Sequence, residues 1–388
     1  MTGLPDVVSE QVTTFASLLR SRSGESEQLG TMPPDLAEVA KRDRLFTLAL
    51  PRSLGGLELD PLTIIEIIET LSHADGSGGW TVAISNNTVF FAWLDPTVAK
   101  ELLGDVPRIA ATCMFTPLGR AFPDHTEGFT VSGRWPFSTG CLHADWFQGG
   151  MFVMDGSAPR LSSDGRPDYR FAFFPREQAE IVPTWDVLGL RGTGSNTIGA
   201  RRIAVPEEHV SAMFFEPARH DGPLWRIPCF TLAGMFLAGF PLGVARRALD
   251  EFISIAPSRI RAPSIQPLAS EPECQVALAR AEGTVRAARS LVFDAVGHVW
   301  ELAQRGDVPD LAARANVLLA LHHAMHACTS AVDSIFMLSG ARAVSHGDPL
   351  ERCFRDIHTG VQHAFFSPDA AKRFAKSRFG IEQDTFMI

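Results

Sequence analysis

The sequence predicts an α+β fold in which helices come first, a β-domain occupies the middle, and a helical bundle closes the chain. Three observations carry this. Apolar residues recur at helical spacing up to residue 108, alternate at period two between 109 and 215, and return to helical spacing in long segments beyond Pro228. The expected domains are therefore 1–108, 109–215 and 216–388.

In the first of these, residues 5–45 mix apolar and charged positions at helical spacing, with breaks at Gly24, Gly30 and Pro33-Pro34. Pro61 suits the first turn of a helix, where its missing N–H needs no partner. Ile64, Ile65, Ile67, Ile68 and Leu71 then give that helix an apolar face broad enough to be buried on most sides. A glycine-rich break at 76–79 leads into Trp80, and a further apolar helix is expected through Trp93, ending near Asp95-Pro96.

The middle segment alternates at 129–135, is rich in β-formers at 146–154, and offers another strand at 170–174 that stops at Pro175. The turn Asp164-Gly165-Arg166-Pro167-Asp168 punctuates it, and a barrel or sandwich is expected. In the last segment, helices are expected over 243–255, 275–304 and 311–338, with a connection at 305–309. A final helix should start near Leu350 and run toward Phe366, stopping before Pro368. Long helices of this kind bury their apolar stripes against one another as a bundle.

Composition narrows the function. The 388 residues carry a formal charge of −9 with no basic block, which argues against nucleic acid as a main partner. The longest largely apolar run, 231–245, is shorter than the roughly 20 residues needed to cross a bilayer. No membrane partner is expected, and the N-terminus lacks the basic-then-apolar order of a secretory signal. Six cysteines without a Cys-x-x-Cys pair read as reduced thiols of a cytoplasmic protein. Dinucleotide, phosphate-loop, zinc-protease and nucleophile-elbow motifs are all missing, so common hydrolase and kinase readings lose their support.

His322 and His326 share a helix face, with Asp333 further along, but no Glu-x-x-His pair accompanies them. Packed or polar helix residues are the better reading, and no metal is expected. His358 and His363 lie near the C-terminus, and His125 and His143 lie in or near turns; each is an imidazole that could serve in proton transfer. Two stretches are richer. One runs from Arg134 to Trp146, the other from Trp185 to Thr197. A flat tricyclic flavin needs apolar contact and polar donors at its edge. Trp135, Phe137 and Trp185 could supply the first; Ser138, Thr139, Ser195 and Thr197 the second; Arg191 or Arg259 could neutralise phosphate. The same residues also fit tryptophans of a β-core beside a hairpin turn, and composition does not choose between the two.

The motifs Leu50-Pro51-Arg52-Ser53-Leu54-Gly55-Gly56, Trp135-Pro136-Phe137-Ser138-Thr139-Gly140-Cys141, Gly189-Leu190-Arg191-Gly192-Thr193-Gly194-Ser195 and Arg355-Asp356-Ile357-His358 together resemble the acyl-CoA dehydrogenase superfamily. Over nearly the whole chain the resemblance is to its two-component flavin-dependent monooxygenases. It implies a flavin between the β-domain and a C-terminal four-helix bundle, and a homotetramer. It also implies Thr139 near the reactive edge of the flavin, Trp185 beside the ring, and Arg259 reaching a neighbouring subunit's cofactor. His363 falls where such monooxygenases place a histidine facing the flavin C4a carbon. True dehydrogenases of the superfamily commonly carry a catalytic glutamate in this last segment, whereas no glutamate lies between Glu351 and Ile381 here.

The expected enzyme thus takes FMNH2 or FADH2 from a separate NAD(P)H-dependent flavin reductase and uses O2 as co-substrate. It inserts one oxygen atom into an aromatic or other apolar small molecule by way of a C4a-(hydro)peroxide. His363, Thr139 and Ser138 are its expected catalytic groups. The alternatives are acyl-thioester dehydrogenation and a flavin-binding protein without turnover.

Overall fold

The computed structural model describes residues 6–105, 107–124 and 128–388, so His125 lies outside the described residues. Among the described residues six α-helices come first: α1 (Asp6–Ser21), α2 (Ser23–Leu29), α3 (Pro34–Arg42), α4 (Pro61–Ala74), α5 (Gly76–Ser85) and α6 (Pro96–Leu103). Pro61 is the first residue of α4, and the Asp60 carboxylate caps that helix by accepting from the Thr63 N–H at 3.0 Å. The apolar helix expected up to Trp93 is shorter. It ends at Ser85 and gives way to a 3-10 stretch, Asn87–Trp93, because the buried Asn86 side chain ties the chain to Leu45 and Leu48 at that point.

Among the described residues eight strands follow: β1 (Ala111–Pro123), β2 (Gly128–Ser138), β3 (Trp146–Asp155), β4 (Ala158–Pro159), β5 (Tyr169–Pro175), β6 (Glu180–Val182), β7 (Asn196–Pro206) and β8 (Val210–Ser211). They form one mixed sheet in the order β6-β7-β2-β1-β3-β5-β8, with β4 on β3, and β1 runs parallel to β3. Among the described residues the hydrogen-bonded path ends at β6 and β8, and the sheet curls over a core of its own, as expected for the middle domain. Trp135 of β2 and Phe174 of β5 have ring centroids 5.9 Å apart although β1 and β3 lie between their strands. Along β5, Ala172 and Phe174 face this core while Phe171 and Phe173 face the helices, the alternation a strand imposes.

The remaining helices are α7 (Cys229–Phe236), α8 (Gly239–Ile255), α9 (Pro272–Gln304), α10 (Leu311–Ser339), α11 (Pro349–Gly360) and α12 (Pro368–Phe379). Helices α8 to α11 pack as a four-helix bundle, and α12 lies along α10. The stretch 229–255 is long and apolar enough to cross a membrane, yet 89% of its most apolar window is buried inside the protein, much of it against α4. Gly239 and Gly243 permit that approach, since a Cβ on either would come within 2.6 Å or 2.3 Å of an α4 carbonyl oxygen. One core therefore spans both ends of the chain, joining Ile64, Ile65 and Ile68 to Phe240, Leu242 and Leu321.

The single helix expected from Leu350 to Phe366 differs most. It stops at Gly360, a 3-10 turn covers Ala364–Phe366, and a separate helix, α12, starts at Pro368. Gly360 packs against the Phe240 ring, where a Cβ would sit 2.4 Å from a ring carbon, so helix α11 ends where it meets α8.

Candidate functional site

The site is built where the ends of β2 and β7 meet α5 and the turn after α11. In β2 the residues Trp135 and Phe137 should share a face, being two apart. They do not. The pairing of β2 with β7 shifts between Trp135 and Ser138, and Phe137 takes a left-handed φ of 61°. Trp135 therefore points into the sheet core and is 0% exposed, with its Nε1 donating to the Gly150 carbonyl at 2.9 Å. Gly119, Gly133 and Gly149 lie flat against the indole, and a Cβ on any of them would come within 2.7 Å of a ring atom. Trp135 is thus a core residue, contrary to its expected role as a cofactor wall. Phe137 is turned outward, 74% exposed, edge-on to Trp185 at 6.3 Å.

Behind this ring pair lies a run of hydroxyls. Thr139 Oγ1 is 2.8 Å from Ser195 Oγ, which is 2.7 Å from Thr193 Oγ1, and all three are buried. Trp80 of α5 donates its Nε1 to Thr139 Oγ1 at 3.2 Å. Ser138, in contrast, is 1% exposed and directs its hydroxyl proton to the Trp135 carbonyl, so it is held by its own strand rather than joined to this run. Thr197 pairs with Thr184 at 2.9 Å. Asn196, which sequence reasoning missed, accepts from the Thr184 and Trp185 N–H groups at 3.0 Å and 3.1 Å and so fixes the Trp185 segment against β7.

The turn at 189–194 carries the second left-handed residue, Leu190, with φ 54°. Its carbonyl accepts from both Trp185 Nε1 at 3.0 Å and Thr193 Oγ1 at 2.8 Å. Its N–H donates to Asp356 Oδ1 of α11 at 2.6 Å. Only glycine fits at 189, because a Cβ there would sit 2.0 Å from the Arg355 carbonyl oxygen. Arg355 pairs with Glu351 at 2.5 and 2.9 Å, reaches Glu27 of α2 at 2.7 Å, and donates to the Leu188 carbonyl. Burial beside Asp75 pushes the Asp356 carboxyl up to about 7, against the pull of Arg352.

His363 reaches the same place from the far end of the chain. Its ring lies edge-on to Trp80 at 5.4 Å and stacked on Phe365 at 5.6 Å, with an interplanar angle of 17°. Enclosure between these rings pushes the imidazole down to about 4, so it is neutral at physiological pH. Thr139, Ser195, Trp80 and His363 are thus brought together. Beyond His363 the rings continue: Phe365 meets Phe230 at 4.5 Å, and Phe115 and Phe214 are 5.1 Å apart in the same cluster.

The other candidate histidines among the described residues, His143, His322, His326 and His358, have structural partners. His143 stacks on Phe46 at 5.5 Å and is pushed down to about 3 by burial. His322 and His326 both contact the Phe366 carbonyl, at 2.9 and 3.2 Å, and pin the turn that carries His363. His358 pairs with Asp333 at 2.7 Å.

The residues present suit a flavin. Phe137 and Trp185 leave apolar ring surface open, the hydroxyl run offers donors, and the buried Thr31 and Ser77 hydroxyls beside Gly194 and Gly192 have no hydrogen-bond partner among the described residues. Residues 235–368 match the acyl-CoA dehydrogenase C-terminal domain family. The chain superposes on XiaF from Streptomyces, solved with FADH2 and glycerol, with a TM-score of 0.88 at 25% identity over 97% of this chain and 96% of that one. It is 29% identical to the oxygenase subunit HsaA of a flavin-dependent monooxygenase from Rhodococcus jostii, covering 98% of this chain and 100% of the relative. To indole-3-acetate monooxygenase from Pseudomonas putida it is 33% identical over 347 residues, 89% of this chain and 87% of the relative. The chain belongs to the two-component flavin-dependent monooxygenases of acyl-CoA dehydrogenase fold.

As an oxygenase component of this kind it acts with reduced flavin, FMNH2 or FADH2, and dioxygen. Arg191 or Arg259 is expected to neutralise the flavin phosphate. Arg191 is exposed, at the start of the 3-10 turn that carries Thr193. Arg259 is not gathered with it: its guanidinium donates to the Ser339 carbonyl at 3.2 Å and lies 3.8 Å from the Asp348 carboxylate.

Proposed function

We propose that the protein oxygenates a small aromatic or otherwise apolar molecule, with His363 as the group that hydrogen-bonds the reacting oxygen. The observation that carries this reading is a neutral imidazole held against Trp80, whose indole donates to Thr139, where a dehydrogenase would need a carboxylate base. Reduced flavin held there would supply the two electrons for dioxygen, so that one oxygen atom could enter the substrate while the other leaves as water. The protein's own work is binding, orientation and exclusion of water. Phe137 and Trp185 would face the ring system, Thr139 and Ser195 would donate to its polar edge with Thr197 alongside, and Arg191 would meet phosphate. Ser138 would act only through its strand. Arg259 would serve a neighbouring subunit.

A separate NAD(P)H-dependent reductase delivers the reduced flavin, and the chain assembles as a homotetramer, supported by the exposed apolar residues Ile260, Ile265, Met337 and Val344. Six free thiols fit a reducing, cytoplasmic setting. The division at 108 and 215 into domains is supported by a sheet core drawn wholly from residues between 114 and 205.

The test is anaerobic loading with reduced flavin, followed by 18O2 and an aromatic substrate such as indole. One labelled oxygen per product is expected. His363→Ala should lower product per flavin oxidised by roughly 10²-fold, the lower end of general acid–base effects, with hydrogen peroxide released instead. It should change the Kd for reduced flavin far less. Unchanged coupling in that variant would overturn the role of His363.

A further inference from the structure

After α12 the chain turns at Gly380, φ 66°, and residues 381–388 run back across the bundle toward the aromatic cluster. This strap is tied down by side chains from three helices. Thr231 of α7, 2% exposed, donates to the Ile388 carbonyl at 2.8 Å. Arg314 of α10 donates to the Thr385 and Ile388 carbonyls at 3.1 and 3.2 Å. Arg373 of α12 lies 3.5 Å from the Met387 sulfur, and its carbonyl accepts from Gln383. Ile388 is fully buried. The segment has neither helix nor strand, yet its end is anchored by these bonds.

What the strap presents is Phe386. Its ring packs 4.9 Å from Phe215 and 6.0 Å from Phe214. Phe214 lies 5.8 Å from Phe230, Phe230 lies 4.5 Å from Phe365, and Phe365 stacks on His363. An unbroken path of ring contacts therefore joins the strap to the imidazole. Phe214 and Phe386 are only partly buried, so ring surface at this end of the cluster is still open to be covered. Aromatic faces and edges of this kind bind a flat aromatic guest.

We propose that Phe386 is a specificity-determining residue. Its ring forms the far wall of the substrate chamber and limits how many fused rings fit between it and His363. The proposal rests on the aromatic-substrate reading above and deepens it: the guest is an uncharged fused aromatic that lies along the path from Phe365 to Phe386. Because the strap backbone is anchored through Thr231 and Arg314, removing the ring leaves space that the strap does not collapse into.

Phenol, 1-naphthol and 9-phenanthrol test this as guests of increasing length, with wild type, Phe386→Ala and Phe386→Trp compared. Two quantities are read: Kd by calorimetry on the anaerobic enzyme loaded with reduced flavin, and kcat/KM for oxygenated product. The kcat/KM ratio of 9-phenanthrol to phenol should rise on the order of tenfold in Phe386→Ala, the scale of discrimination an apolar pocket achieves. It should fall in Phe386→Trp, and Kd ratios should move the same way. Should the alanine variant not fold, Phe386→Leu and Phe386→Trp decide by the same ratios. Folded variants that keep the wild-type ranking, or that weaken all three guests equally, overturn the proposal. Wild-type enzyme that oxidises reduced flavin but neither binds nor oxygenates any of the three would overturn the substrate reading itself, which is a distinguishable result.

Discussion

At the scale of single residues, the site depends on two backbone positions that disobey their surroundings. Phe137 leaves the alternation of β2 and Leu190 adopts a left-handed turn, and together they aim Phe137, Trp185 and Thr193. Titration gives a check of the burial argument. His143 and His363 are both pushed down, to about 3 and about 4, so the folded state favours the neutral rings. Their contribution to stability is fully present above the unfolded value of roughly 6.5 and is lost as pH falls toward the folded values. His143→Phe, which keeps the stack on Phe46, should therefore flatten the fall in unfolding free energy between about pH 6.5 and 4. Denaturant melts at several pH values measure it. Asp356 runs the other way: raised to about 7, it contributes stability below the usual carboxylate range and loses it as pH rises toward 7. At this scale the sequence was only partly legible. The aromatic richness of 134–146 was visible, but the one-residue shift that sends Trp135 inward and Phe137 outward leaves no mark in residue type.

At the scale of elements, α11 acts as the clamp on the 188–190 turn. Arg355 and Glu351 are a buried pair that also holds Glu27 and the Leu188 carbonyl, while Asp356 takes the Leu190 N–H. Arg355→Ala should cost about 3–5 kcal/mol, the price of leaving a buried carboxylate unpaired, measured by equilibrium unfolding. It should also weaken reduced-flavin binding, since the turn that carries Trp185 and Thr193 loses an anchor. Arg355-Asp356 stood out in the sequence as part of the resemblance, yet its partner Glu27 lies more than three hundred positions away and no local pattern could have paired them. The end of α11 was misread for a related reason. Pro368 served as a stop signal, whereas in Ser367-Pro368-Asp369 it is the first residue of α12, with an acidic residue in its first turn. The long periodic helices were legible because their apolar stripes repeat over many turns, and α10 was expected over 311–338 and runs Leu311–Ser339.

At the scale of the whole molecule, exposed apolar side chains bear on assembly. Ile265 is 84% exposed and Met337 73% exposed. Light scattering should return four times the monomer mass, and Ile265→Asp with Met337→Asp should reduce it; a monomer in the wild-type protein would contradict the tetramer. The two cores bear on how the chain comes into being. The sheet completes its own core from neighbours in sequence, but the apolar face of α4 waits for α8, made some 170 positions later. At ribosomal speeds of roughly 5–20 residues per second, that face stays uncovered for on the order of ten seconds. Nascent chains of this enzyme should then call on chaperones until α8 emerges, with the middle of the polypeptide settled before its beginning.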